Sequence, residues 1–331
     1  MIVVSVVILN WNAYEVTETC LNSLLANTEC PECELKIVVV DNGSLDGSPT
    51  ILDQKYHGIA DIVPLRRNLG FAAGCNMGIE YAMSHFAPDY ILLLNNDTIL
   101  TQKRWLCKLI EAAKADSTIG IVGPKLVFPN GKVQWSGRAR ELNVFALMFQ
   151  IISAGFNPGV GRIDDKDSRD LVGYVNTVSG ACLMMKSSLI RSIGLLDYHL
   201  APMFGEDVEY CYRAWKNGYR VFYRGDATVI HAESYTIEKF GDSLKTKKTF
   251  WTVRSSLRIS RKYFGFWRTL LFGIPMVVAG GALEKRDKTL GLKKSNIRLK
   301  HNFWRTVPIL LAAIRDAFFY DVKRDSPHLR D

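Results

Sequence analysis

The chain has 331 residues, 48% of them hydrophobic and 23% charged, which are ordinary globular proportions and exclude a disordered, collagenous or disulfide-framework protein. Its net charge of +9 is unevenly spread: residues 243–331 hold 20 Lys and Arg against 6 Asp and Glu, which leaves residues 1–242 at −5. A mildly acidic body with a strongly basic tail points to an anionic surface as the tail's partner.

The N-terminal run Ile2–Leu9 is β-branched and apolar, as a buried first strand is. It has neither the positive flank nor the small-residue cleavage site of a signal peptide. Tyr14–Leu25 carries Val16, Cys20 and Leu24 at helical spacing. Cys30-Pro-Glu-Cys33 is a lone CxxC with no second pair to complete a four-ligand zinc site, so it reads as a turn into the next strand. The other cysteines are scattered, and Cys75, Cys107, Cys182 and Cys211 sit in apolar patterns as small buried hydrophobes do; a reducing, cytosolic setting fits. Leu35–Val40 is a second strand, Ser48–Tyr56 a short helix and Ile62–Leu65 a third strand. Gly70–Ser84 is helical in its second part, Tyr90–Leu94 is a buried fourth strand and Lys103–Lys114 is a helix. This alternation predicts a mostly parallel α/β sheet with helices on both faces, in which ligands bind beyond the carboxyl ends of the strands.

Those ends are polar. Strand one ends at Asn10-Trp11-Asn12, strand two at Asp41-Asn42-Gly43-Ser44, and strand four at Asn95-Asn96-Asp97; Arg66-Arg67-Asn68 follows strand three. There is no G-x-G-x-x-G after strand one and no P-loop, which argues against dinucleotide oxidoreductases and P-loop enzymes. Asp41 suits either an Asx turn or a hydrogen bond to a base or ribose. The segment from Asn68 to Asn76 suits a loop whose backbone meets a ligand, or equally helix capping. Three polar residues directly after Ile91–Leu94 are costly if buried unpaired, and a carboxylate there suits Mg²⁺ or Mn²⁺. His231, after the apolar Thr228-Val-Ile run, is a further ligand candidate or a structural histidine. Glu206 and Asp207 open a helix with an apolar face of Val208, Cys211 and Trp215 and a terminating Gly218. They are simple dipole caps or present a general base.

The tail mixes Lys245, Lys247, Lys248, Arg254, Arg258, Arg261 and Lys262 with aromatic and aliphatic residues. Thr269–Leu283 is uncharged but broken by Gly273, Pro275, Gly280 and Gly281, so it reads as re-entrant or surface-lying rather than spanning. Lys285–Lys300 is basic, and Phe303–Tyr320 has amphipathic spacing. Such segments suit an anionic bilayer surface, or packing against protein. A nucleic-acid partner is not expected, since no recognisable module is present.

Taken in order, the clusters resemble the family 2 glycosyltransferases of the GT-A fold, nearest their rhamnosyltransferase-like branch. VVILNWN resembles the family's opening strand and nucleotide turn, IVVVDNGSLDGS its second-strand motif, NLGFAAGCNMGI its nucleotide loop and LLLNNDTIL its DxD-type metal motif. VSGACLMMKSSLI resembles the segment entering the donor–acceptor cleft, FGEDVEYCYRAWKNGY the ED motif and VIHAESYT the C-terminal His motif. The match runs from Val3 to about Tyr235. It implies a catalytic domain over 1–242, with a nucleotide part to about 100 and an acceptor part beyond, followed by a basic, amphipathic helical region over 243–331. It implies donor contacts at Asn10, Asn12, Asp41, Asn42, Arg67, Asn68, Asn76, Asn96, Gly180 and Ala181. A divalent cation, Mg²⁺ or Mn²⁺, would sit at Asp97 and His231, with Asn95 in place of the first Asp of a strict DxD. Asp207 would be the base of a single inverting displacement, with Glu206 and Arg213 in the acceptor region. The branch implies dTDP-rhamnose as donor, with UDP-hexoses and UDP-N-acetylhexosamines open. The acceptor would be a saccharide or lipid-linked saccharide at the inner, cytoplasmic face of the cell membrane. A non-catalytic scaffold of a polysaccharide assembly complex is the competing class.

Overall fold

The computed structural model describes residues 1–134, 137–138, 172–200, 202–232, 242–273 and 311–318. These residues fall into two compact units. The larger contains β1 (Ile2–Asn10), α1 (Tyr14–Asn27), β2 (Cys33–Asp41), α2 (Ser48–Lys55), β3 (Ala60–Pro64) and α3 (Phe71–His85). There follow β4 (Tyr90–Asn95), β5 (Thr98–Ile99), α4 (Trp105–Ala115), β6 (Ile119–Val127), β7 (Gly137–Arg138), β8 (Val172–Val175), β9 (Thr177–Val178) and β10 (Cys182–Lys186). Three further elements, α5 (Ser187–Ile193), α6 (Glu206–Lys216) and β11 (Arg220–His231), complete it.

The sheet runs β3-β2-β1-β4-β10-β6-β11-β5, with β8 paired to β11. From β3 to β4 all pairings are parallel. β10 is inserted antiparallel between β4 and β6, so the sheet is mixed but mostly parallel. Alternation along the strands divides the core. Val4, Val6 and Ile8 of β1 pack with Leu21, Leu24, Trp105 and Leu109 of α1 and α4 on one face. Val7, Ile91 and Leu93 pack with Cys75, Ile79, Leu189 and Tyr210 on the other. Helices therefore cover both faces, as buried parallel strands require. α3 lies close on β1 and β2 because Gly78 has no side chain; a Cβ there would stand 2.4 Å from Val7 Cγ1.

Three expectations change. α3 is helical from Phe71, directly after Gly70, rather than only in its second part. The buried face of α6 is Tyr210, Cys211 and Ala214 together with Glu209, while Trp215 is exposed. Glu209 can be buried because Arg213 pairs with it at 2.9 Å, and Tyr210 is satisfied by donating its hydroxyl to the Gly194 carbonyl. Cys30-Pro-Glu-Cys33 does form the turn into β2, but its two cysteines are joined as a disulfide; the other five cysteines are free and buried.

The smaller unit contains α7 (Asp242–Phe264), the short helical turns Phe266–Arg268 and Thr269–Gly273, and a helix over 311–318. Val253, Leu257, Ala313, Ala317 and Phe318 form its core. Part of the basic charge assigned to an anionic surface is used inside this unit. Arg254 and Arg258 both pair with Asp316, at 3.3 and 3.4 Å, and Arg261 donates to the carbonyls of Ala317 and Phe318. Trp267, Leu271 and Leu311 remain exposed. Among the described residues no helix is long and apolar enough to cross a membrane. Thr269–Leu283 beyond Gly273, Lys285–Lys300 and most of Phe303–Tyr320 lie outside the described residues.

Candidate active site

Parallel register sets the first half of the site. Asn10 stands opposite Asp41 at the ends of β1 and β2. Asn10 is fully buried and donates to Asp41 Oδ2 at 2.7 Å and to Ser44 Oγ at 3.3 Å, while Thr17 Oγ1 donates to its Oδ1 at 2.8 Å. The Ser44 N–H donates to Asp41 Oδ1 at 2.8 Å, an Asx-type turn that holds the loop. Asn12, in the left-handed region at φ +49, accepts from the Leu45 N–H, and its own N–H donates to Ser44 Oγ. Asn42 is buried and holds the next loop: it donates to Asn68 Oδ1 and the Gly70 carbonyl and accepts from the Leu69 N–H. Gly43 lets the two loops touch, since a Cβ there would lie 2.5 Å from the Arg67 backbone. Arg67 and Asn68 are exposed at this edge.

The second half begins where β1 meets β4, with Leu9 opposite Asn95. Asn96 donates to Thr17 Oγ1 at 2.9 Å, which ties this turn to the Asn10 network. β11 and β5 pair antiparallel with His231 opposite Thr98, and the Ala232 N–H donates to the Asp97 carbonyl. His231 Nε2 is thereby held 3.2 Å from Asp97 Oδ1 and 3.4 Å from Asn95 Nδ2. Its other ring nitrogen, Nδ1, lies 2.8 Å from Gln134 Oε1. Cys20 sits behind this turn with Sγ 3.4 Å from Thr98 Oγ1. Burial pushes its thiol up to about 12, partly opposed by the Thr98 hydrogen bond and reinforced by the charge on Asp97. It therefore stays protonated and is neither a nucleophile nor a thiolate ligand.

Asp207 is tied to the second half through backbone. Its Oδ2 accepts from the Gly180 N–H at 2.9 Å and its Oδ1 from the Val208 N–H at 2.8 Å. Gly180 is small enough for this approach, since a Cβ would stand 3.3 Å from Asp207 Cβ. The next residue, Ala181, accepts from the Asn95 N–H at 2.9 Å. The chain Asp207–Gly180–Ala181–Asn95 thus brings the first turn of α6 beside the turn bearing Asp97. Phe204 and Gly205, just before α6, both have positive φ, +79 and +95. For a phenylalanine that is a strained conformation of the kind concentrated at functional sites.

Two predicted site residues are directed elsewhere. Asn76 is buried in α3, with its amide donating to the Leu196 carbonyl and accepting from the Leu196 N–H. Arg213 donates to the carbonyls of Ile193 and Leu195 and to Glu209. Both fasten the loop after α5 rather than line the strand ends. Glu206 is buried at the start of α6. Sequence reasoning missed Thr17, Ser44 and Gln134. Ser44 lay inside a quoted motif; Thr17 meets Asn10 across the β1–α1 turn but Asn96 only 79 residues on, and Gln134 carried no local signal because its partner His231 lies 97 residues away.

Residues 5–189 match the family described as Glycosyl transferase family 2. N-acetylglucosaminyl-diphospho-decaprenol L-rhamnosyltransferase of Mycobacterium tuberculosis is 26% identical over 232 residues, covering 66% of this chain and 72% of that one. Poly-beta-1,6-N-acetyl-D-glucosamine synthase of Staphylococcus aureus is 28% identical over 212 residues, 63% of this chain but 46% of that longer protein. Among solved structures, S. aureus TarS 1-349 in complex with UDP-GlcNAc aligns with a TM-score of 0.57 at 15% identity, covering 96% of this chain and 80% of that one. The mannosyltransferase PcManGT from Pyrobaculum calidifontis, in complex with GDP-Man and Mn²⁺, aligns at 0.55 and 16% identity, covering 96% and 87%. At such identities these structures speak to the fold alone.

Proposed function

The chain belongs to glycosyl transferase family 2 and is a glycosyltransferase of the GT-A fold, and from that premise we propose that it moves rhamnose from dTDP-rhamnose to a saccharide or lipid-linked saccharide acceptor with inversion. The observation that carries the mechanism is the run of contacts joining Asp207, Gly180, Ala181 and Asn95, which sets a candidate base beside a candidate cation-binding turn.

Asp207 takes the proton of the acceptor hydroxyl as that oxygen attacks the anomeric carbon. The new C–O bond forms on the face opposite the breaking bond to phosphate, the nucleoside diphosphate leaves with the electron pair, and the configuration inverts. A carboxylate suffices as base because the hydroxyl becomes acidic only as the bond forms. The two N–H groups that hold Asp207 fix its direction without neutralising it. At the other end, Asn10, Asp41 and Asn42 shape the loops from which Asn12, Arg67, Asn68 and Asn96 meet the nucleotide, and the Gly180–Ala181 backbone lines the sugar side.

A divalent cation, Mg²⁺ or Mn²⁺, fits the residues present. Asp97 and His231 supply one oxygen and one nitrogen 3.2 Å apart, near the roughly 3 Å between neighbouring ligands of an octahedral ion with bonds of about 2.1 Å. Among the described residues no cluster of three or more His, Cys, Asp and Glu converges, and ions of this class complete their shell with substrate phosphates and water. When bound, the ion neutralises charge on the departing diphosphate.

Support for rhamnose comes from the mycobacterial relative. UDP-N-acetylglucosamine is the second reading, favoured by the polysaccharide synthase. Thermal protection across a panel of nucleotide sugars separates them. Asp207→Asn is expected to retain donor binding and lose transfer by about 10²–10⁴-fold; wild-type turnover in that variant would remove Asp207 as base. Residues 243–331 hold the enzyme to the inner face of the cell membrane, supported by their net charge of +14 and by exposed Trp267, Leu271 and Leu311. The double change Trp267→Ser, Leu271→Ser should weaken cosedimentation with anionic vesicles; unchanged cosedimentation counts against it.

A further inference from the structure

We propose that Gln134 is a positioning residue that fixes the tautomer of His231, so that Nε2 presents a lone pair to a cation shared with Asp97. Gln134 is buried, with 6% of its surface exposed. Its side chain meets His231 twice: Nε2 donates to the His231 backbone carbonyl, and Oε1 lies 2.8 Å from Nδ1. A backbone carbonyl can only accept, so the first contact sets which end of the amide is NH₂. The amide oxygen therefore faces Nδ1, and since that oxygen can only accept, Nδ1 must carry the proton. In a neutral imidazole the other nitrogen, Nε2, is then an acceptor.

The consequence lies on the far side of the ring. Nε2 and Asp97 Oδ1 are 3.2 Å apart, and with Nδ1 protonated both are acceptors. Both then direct lone pairs toward a shared point, with the Asn95 amide nitrogen 3.4 Å from Nε2 beside it, and a cation is the species that accepts both. Histidines that bind metals characteristically donate their second N–H to a fixed partner, and loss of that partner costs about 10–100-fold in metal affinity. Gln134 occupies that position, brought there from the loop after β6 and kept in place by the Gln134 N–H donating to the Leu126 carbonyl at 2.8 Å. The inference rests on Asp97 and His231 as the cation ligands, as proposed above.

The test uses the full chain with labelled imidazole nitrogens, the His231 signal being assigned by its loss in His231→Asn. At about pH 9, where an ordinary imidazole is neutral, long-range ¹H–¹⁵N spectra should show His231 protonated on Nδ1. Gln134→Met keeps the side-chain length and removes the acceptor; it should move the proton to Nε2 and weaken Mn²⁺ binding, followed by electron paramagnetic resonance with dTDP present, by about 10–100-fold. Gln134→Glu restores an acceptor and should keep the Nδ1 proton, even if the methionine variant folds poorly. A wild-type proton on Nε2, or an unchanged tautomer and Mn²⁺ affinity in Gln134→Met, would overturn the proposal. Absence of Mn²⁺ binding by the wild type would instead overturn the metal reading, on which the tautomer measurement does not depend.

Discussion

The two halves of the carboxyl edge solve the problem of buried polar groups in opposite ways. At the ends of β1 and β2, each side chain answers another: Thr17 donates to Asn10, Asn10 to Asp41 and Ser44, and Asn42 binds the following loop at three points. Each contact is favourable in the resting protein, so this half is architecture. On the tautomer proposed above, Asp97 and His231 face each other as acceptors, and the contacts around them, Nδ1 to Gln134, the Asn95 amide near Nε2 and the Ala232 N–H to the Asp97 carbonyl, aim them. On that reading the pair gains its full complement only when a cation arrives. The contrast separates residues that shape the site from those that act in it, which residue type alone does not.

The largest expected effect tests the second half. Asp97→Asn replaces an acceptor by a side chain that can donate to Nε2, which satisfies the pair without a cation. Transfer should fall by on the order of 10²-fold or more, the scale for loss of one group that stabilises developing charge. The melting temperature should hold or rise, because the new amide donates to Nε2. Loss of stability along with activity would mean that Asp97 and a protonated His231 form an ordinary ion pair, and the contrast would fail.

Asn10→Ala tests the first half and should give the reverse. It removes a donor from the buried Asp41 carboxylate and the acceptor of the Thr17 hydroxyl, a cost of about 3 kcal/mol. The melting temperature should drop by roughly 6–12 °C, with donor affinity lost through the disordered 41–45 loop. An Asn10→Ala protein that melts like the wild type but binds donor poorly would move Asn10 from architecture to direct contact.

Much of this was legible in the chain. The strands β1, β2, β3 and β4 announce themselves as apolar β-branched runs closed by polar residues, and parallel pairing then puts Asn10, Asp41 and Asn95 at one edge. β6 was not legible: Gly120, Gly123 and Pro124 interrupt its pattern, and only its position in the sheet, with Pro124 at an irregularity opposite Arg224, makes it a strand. Motif position located Asn76 and Arg213 but could not give their direction. Asn76 turns to Leu196, 120 residues away, and Arg213 to the end of α5. Gln134 failed for the related reason that its meaning lies in His231, 97 residues downstream. Sequence spacing reads contacts within one element or across one turn; contacts between distant loops depend on the register of the whole sheet.

The smallest expected effect asks whether donor count or burial makes the Asn10–Asp41 network matter. Asp116 accepts the Tyr174 hydroxyl at 2.6 Å and both the N–H and hydroxyl of Thr118 at 2.8 Å, three donors against the two, Asn10 and the Ser44 N–H, described at the buried Asp41 carboxylate, but at a part-exposed position. The Tyr174 hydroxyl, then Thr118, lowers its pKa to about 2 from an ordinary 3.8. Because the folded value is depressed, the stabilisation is present above pH 3.8 and lost as pH falls through 2. Water competes for each of these contacts, so Asp116→Asn should lower the melting temperature at neutral pH by less than about 2 °C, and the gap to wild type should close on acidification between pH 4 and 2. A loss as large as that of Asn10→Ala would show that the donors alone suffice, and that burial is not what distinguishes the strand-end network.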